Sequence, residues 1–328
     1  MLGNFFNSFY YGKAGKGDFN PENLPEKRTR LFFEMLRVRW SALVRLNLLY
    51  VLVFLPALLW TLLNLFAAYN ILTLAAAEEI LYSEMGEQLL GLLRTWLLIL
   101  CPCLAVTGPV TAGVSYVTRN WARDQHSFML SDCKDAIKEN WKQALLVSTI
   151  TGFVPLIVYT SYVVYGNLSS EYGVFFIIPQ MLVILIGLFW LLSLQIIYTL
   201  MVTYKLSFKN LLRNALLLSI GKLPLSIGIR LISLILPGLC VAVLFFLPDI
   251  SVYALLVFAL YLLLFGFAFN RFLFASYANA VCEKYINARI EGAPVGMGLR
   301  KTTDDDYEID PTMPQPPGTL SNNENLNA

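Results

Sequence analysis

Polar positions drop out of this chain for about twenty residues at a time, the length a helix needs to cross a bilayer core of about 30 Å. Six such apolar runs stand out, at residues 46–68, 93–116, 144–164, 174–202, 225–246 and 252–269. Each is bounded by short segments that hold nearly all of the charge. The pattern predicts an all-α membrane protein with six transmembrane helices.

The polar lead-ins refine that picture. RLFFEMLRVRWSALVRLNLLYVL enters the first run, SDCKDAIKENWKQALLVSTI the third and LSFKNLLRNALLLSIGKLPLSI the fifth. Each carries charge ahead of a run that contains a proline: Pro56, Pro155 and Pro237. Each run is followed by a return run. The expected architecture is three helical hairpins, with cytoplasmic interfacial helices leading into them.

Composition agrees. Hydrophobic residues make up 57% of the chain and charged residues 14%, against about 25% charge in a soluble domain. Basic residues are sided: segments 69–88, 165–172 and 247–251 contain no Lys or Arg. By the positive-inside bias, both termini are expected in the cytoplasm. Residues 1–30 then form a cytoplasmic N-terminal tail, in which Phe5, Phe6, Phe9, Tyr10 and Tyr11 could rest on the membrane. Residues 31–289 form the membrane domain. Residues 290–328, rich in Pro, Asn, Asp and Thr, read as a disordered cytoplasmic tail.

The stretch 107–144 carries the most information. Gly108-Pro109 interrupts the second run: proline has no N–H to close the helical ladder, and glycine permits an unusual turn. In lipid the freed carbonyls need partners. Thr107, Gly108, Pro109 and Thr111 therefore mark either a packed kink or a small ligand or ion site. Beyond the break, Leu130, Cys133, Ile137, Trp141 and Ala144 recur at helical spacing and should share a face, with Ser131 as cap and Asp132 on the positive end of the dipole. Lys134, Lys138, Trp141 and Lys142 then make this helix either a structural interfacial element or a docking helix for a partner.

Catalytic chemistry has little to stand on here. His126 is the lone histidine and sits in a basic turn. The five cysteines, Cys101, Cys103, Cys133, Cys240 and Cys282, lie in or beside apolar runs and read as small apolar residues. The run Asp304, Asp305, Asp306 lacks calcium-loop spacing. No catalytic residue, cofactor or metal site is expected, and a net charge of +2 does not argue for nucleic acid. The polar residues within runs, Asn64, Gln180 and Gln195, are expected to bond between helices.

Three stretches are similar to a known family. RLFFEMLRVRWSALVRLNLLYVLVFLP, TGPVTAGVSYVTRNWARDQHSFMLSDCKDAIKENWKQ and LLLSIGKLP resemble the YesL-like bacterial membrane proteins, the domain of unknown function 624. The resemblance covers most of residues 1–285 and is most specific in the central stretch. It implies a bacterial cytoplasmic-membrane protein without an assigned activity, from a family whose genes often adjoin carbohydrate ABC-uptake genes. The segment around Asn214-Ala215-Leu216 lacks the acidic residue and spacing of a permease's ATPase-docking loop, so no permease role is assigned. The expected function is a non-enzymatic accessory or scaffold component tied to carbohydrate uptake or its regulation. Its partners would be the lipid bilayer and a sugar ABC permease or membrane sensor. The alternative is a small-solute transporter or channel with its site at the broken second helix.

Overall fold

The computed structural model describes residues 24–77 and 80–300. The five aromatic residues of the N-terminal tail and Asp304, Asp305 and Asp306 lie outside the described residues.

Among the described residues the chain is helical throughout, with no strand. A surface helix α1 (Arg28–Val38) leads into α2 (Trp40–Ala76). Then follow α3 (Tyr82–Ala105), α4 (Gly108–Ala122), α5 (Met129–Tyr172) and α6 (Ile177–Met201). A second surface helix, α7 (Phe208–Gly221), precedes α8 (Leu223–Phe246). The last span is α9 (Ser251–Tyr261), a π-helical turn (Leu262–Gly266) and α10 (Phe267–Tyr285). Six helical stretches are long and apolar enough to cross a membrane.

Consecutive spans pair as hairpins. In the first, Trp60 Nε1 donates to the Trp96 carbonyl and Trp96 Nε1 to Thr61 Oγ1, both at 3.2 Å. In the second, Gln180 Nε2 donates to the Tyr162 carbonyl at 3.1 Å and Trp190 Nε1 to Thr151 Oγ1 at 3.2 Å. Gln195 Nε2 reaches from α6 to the Ser226 carbonyl on α8 at 3.0 Å. Gln180 and Gln195 thus bond between helices as expected. Asn64 does not: its amide donates to Trp60 on its own helix at 2.8 Å.

The lead-in to the third span is not a separate element. It is the first part of α5, a continuous helix of 44 residues, about 66 Å at 1.5 Å per residue. No glycine or proline occurs between Met129 and Thr151 to stop it. Alongside it runs a broken rod, α3 followed by α4. The 24 residues of α3 already cover about 36 Å, so α4 projects past the bilayer core at the basic end of the bundle.

That end holds the core. Eleven of the fifteen residues of α4 are buried. Around it lie the first turns of α2, the start of α5, the last turns of α6 and most of α10. Leu31, Leu43, Tyr50, Val117, Trp121 and Phe272 form one cluster; Ala144, Val147, Ile196, Leu200, Leu211 and Ala278 form the other. Toward the acidic end the helices expose Leu59, Leu62, Phe66, Val174, Phe175 and Met181. The physical reason is the solvent. Lipid tails are as apolar as leucine, so no hydrophobic force draws helices together in the bilayer. Past the hydrocarbon water returns, and burying a large apolar side chain contributes about 1.5–3 kcal/mol.

Asn47, on the first turns of α2, is fully buried and holds the π turn. Its Nδ2 donates to the carbonyls of Leu262 and Leu263 at 2.8 and 2.7 Å, and its Oδ1 accepts from the Ala268 N–H at 2.8 Å. Residues 290–300, placed by composition in the tail, pack back on the basic end. Arg300 N–H donates to the Pro25 carbonyl at 3.1 Å, and Leu299 joins the Leu31 cluster. The Glu283 carboxylate pairs with Arg28 and accepts from Gly296 N–H at 3.2 Å. Positive φ at Gly292, Gly296 and Gly298 lets so short a segment turn back.

Candidate functional site

The break comes first. Pro109 has no N–H, so the carbonyl four residues earlier, at Ala105, loses its helical donor. Ser148 on α5 supplies one: its Oγ lies 2.6 Å from Ala105 O. Thr107 Oγ1 donates to Leu104 O at 2.8 Å. Thr111 Oγ1 donates to Thr107 O at 2.8 Å. With that proton spent, the 2.7 Å contact between Thr111 Oγ1 and Tyr50 must use the tyrosine as donor. Gly108 permits the approach, since a Cβ there would lie 2.2 Å from both Ala144 O and Ser148 Oγ. Thr107, Gly108, Pro109 and Thr111 are therefore brought together as a kink closed by protein side chains from α2 and α5.

The candidate docking residues sit on the first turns of α5. Lys134 and Lys142 are exposed, and Lys138 forms an exposed ion pair with Asp135 at 3.7 Å. Lys142 Nζ lies 5.6 Å from the Trp141 ring centre. The inward stripe is narrower than periodicity suggested. Cys133, Ala136, Ile137 and Ala144 face the core, while Leu130 is 62% and Trp141 47% exposed. Gly113 on α4 lets Cys133 and Ile137 come close, so the packed stripe is centred on Cys133, Ile137 and Ala144, with Leu130 and Trp141 at its edge. The cap also differs from expectation. The helix begins at Met129, and Asp132 reaches back to accept from Phe128 N–H at 2.9 Å and Ser127 Oγ at 2.7 Å. Ser131 is not the cap. His126 is exposed and meets Phe128 edge-on at 4.7 Å.

A third constellation was not singled out from the sequence. Arg119 on the last turn of α4 and Arg123 at its C-cap point into the basic-end core. Arg119 Nη1 donates to Val202 O at 2.7 Å and Thr203 Oγ1 at 3.3 Å, and its guanidinium lies 4.5 Å from the Tyr116 ring centre. Arg123 Nε donates to Asn279 Oδ1 at 3.1 Å, and Asn279 Nδ2 to Arg119 O at 3.2 Å. Arg123 is only 6% exposed, and one of its terminal nitrogens has no hydrogen-bond partner among the described residues. Burial, and then the Arg123 charge, push Arg119 down to about 10. Burial lowers Arg123 and raises the nearby Tyr204 phenol. Both guanidiniums thus rest on neutral oxygens, an arrangement suited to holding structure or attracting an anion. In sequence these arginines look like any basic turn; the nearest signal was Asn120 and Trp121 beside them.

Beside this core, a cleft of about 720 Å³ separates residues 138–143 of α5 from residues 201–206 after α6. Lys138, Lys142 and Lys205 line it with Glu139, Trp141 and Tyr204. Comparison with curated proteins and with solved structures finds no match. The model of the family described as "Protein of unknown function, DUF624" matches residues 43–162, from the first turns of α2 to Tyr162 in α5.

Proposed function

We propose that this protein is a non-catalytic accessory or scaffold component of the bacterial cytoplasmic membrane, with both termini in the cytoplasm. On this reading it serves carbohydrate uptake or its regulation, and its basic end docks on a sugar ABC permease or membrane sensor with an acidic cytoplasmic face. The observation that carries it is the exposed edge of Lys134, Lys138, Trp141 and Lys142, held on a helix whose opposite side is buried. A rigid cationic edge of this kind suits an acidic partner surface. The carbohydrate link rests on the family resemblance alone. The kink favours this reading over transport, because Ser148 already occupies the carbonyl that a solute or ion would use.

Crosslinking and affinity purification from native membranes test it. Charge reversal by Lys134→Glu, Lys138→Glu and Lys142→Glu should leave insertion normal and abolish co-purification of the permease or sensor. Unchanged co-purification, or solute flux in proteoliposomes that depends on Thr111, would overturn it.

A further inference from the structure

The cleft beside α5 lies where the polar part of that helix gives way to its apolar part, at Gln143 and Ala144. On the facing side, α6 ends at Met201 and the polar connection begins. Both walls therefore cross from hydrocarbon to headgroup depth at the same level. Three ammonium groups, Lys138, Lys142 and Lys205, line the space with one carboxylate, Glu139, while Asp135 pairs with Lys138 from outside the lining. Trp141 and Tyr204 stand with them, the aromatic types that favour the membrane interface. The wall is fixed rather than loose. Gln143 Nε2 donates to Leu206 O at 2.9 Å, Arg119 holds Val202 O and Thr203 Oγ1, and Tyr204 donates to Asn287 Oδ1 at 2.5 Å. Behind that wall sits the buried Arg123, whose side chain bonds the neutral Asn279 amide and, among the described residues, leaves one nitrogen without a partner, adding positive potential.

We propose that this cleft binds the phosphate-bearing headgroup of an anionic phospholipid from the leaflet at the basic end. The volume suits a glycerol-phosphate headgroup, and basic pockets at this depth between spanning helices are suited to such lipids. Leu146, one helical turn past Lys142 on the same face, is half exposed and offers an apolar track for an acyl chain. A lipid rather than a soluble anion fits best because the cleft straddles the hydrocarbon boundary. The site shares Lys138, Trp141 and Lys142 with the docking edge, but lipid retention is measured on the purified chain with no protein partner present, so its failure and that of the docking reading are told apart.

The full chain, purified in neutral detergent, is given equal amounts of phosphatidylglycerol and phosphatidylcholine, and bound lipid is read by native mass spectrometry. Phosphatidylglycerol should be retained about tenfold over phosphatidylcholine. The triple variant Lys138→Gln, Lys142→Gln, Lys205→Gln should lose that preference, and the corresponding Lys→Arg triple should keep it. Lys134→Gln, Lys209→Gln, Arg213→Gln removes equal charge elsewhere and should also keep it. No preference in the parent chain, or equal loss in both Gln triples, overturns the proposal. In a second arm, soluble glycerol 3-phosphate is added at millimolar concentration. Failure to displace the lipid supports a lipid ligand; full displacement with the same lysine dependence assigns the cleft to a soluble phosphate and overturns the lipid source.

Discussion

Asn47→Leu tests the most heavily bonded polar group in the bundle. The amide makes two hydrogen bonds to the π turn and one to the first turn of α10, all between 2.7 and 2.8 Å, and is fully buried. Leucine has nearly the same volume, so packing loss is small and the effect falls on hydrogen bonding. A carbonyl with two lone pairs can keep one helical donor, so a conservative count orphans one N–H, at Ala268, and one carbonyl. At about 1–3 kcal/mol per orphaned group, the cost is about 2–6 kcal/mol, a large part of a total stability of about 5–15 kcal/mol. Relaxing the π turn to an α-helix does not rescue the site. Dropping one residue from the turn would rotate α10 by about 100° and carry Phe272 and Ala278, both fully buried, out of the core. The free, buried Cys101, Cys133 and Cys282 provide the assay, since a thiol-reactive dye reports their exposure on heating in detergent. The midpoint should fall by at least about 4 °C. A midpoint for Asn47→Leu within about 1 °C of the parent would show that the π turn holds without the amide and would refute the reasoning.

Other expectations concern the kink, the α4–α5 turn and the orientation. Ser148→Ala leaves Ala105 O without its donor and should cost about 1–3 kcal/mol, read as a lower dye midpoint. Gly108→Ala places a methyl 2.2 Å from Ala144 O, so even this small change should sharply reduce folded protein recovered from membranes. Asp124 is the left-handed residue (φ 54°) of a Schellman cap on α4, with Asp124 N–H bonded to Trp121 O at 3.1 Å and Gln125 N–H to Asn120 O at 2.9 Å. Asp124 is exposed, but partial desolvation beside the packed end of α4 holds its carboxyl above the usual range. A raised acid is disfavoured once ionised, so its contribution to stability is lost as pH rises through that raised value. Asp124→Asn, which also tolerates φ > 0, should therefore melt higher than the parent at about pH 8 and equal to it near pH 3. Topology reporters placed after residue 300 and in the turn at Asp249 should report opposite sides, the first cytoplasmic; the reverse would overturn the orientation argued from basic residues.

The existence and number of spans were plain from hydropathy, because lipid leaves a helix no other way to satisfy its backbone. The Gly108-Pro109 break was equally visible, since only those two residues change what the backbone can do. Its closure was not, because Ser148 lies on another helix and its spacing from Pro109 carries no signal. Asn47 was passed over for the same reason: it borders a basic lead-in and looks like the end of a polar stretch. The 131–144 segment misled in a more instructive way. Its amphipathic period was read correctly as helix, yet its separateness was assumed, although no glycine, proline or turn residue parts it from the span that follows. Periodicity also assigned Trp141 to the inner face because a 3.6-residue period groups positions over a wide arc, and the packed stripe is centred to one side of it, on Cys133, Ile137 and Ala144.

The crowding of buried residues at one pole has a mechanical corollary. A bundle clamped at its base and sparsely packed toward its tips has the fewest contacts to resist a change of bilayer thickness at the far end, so mismatch is accommodated there at the least cost in packing. The continuous α2 and α5 tie those tips to the base, so a tilt imposed at the tips is carried as leverage toward α4.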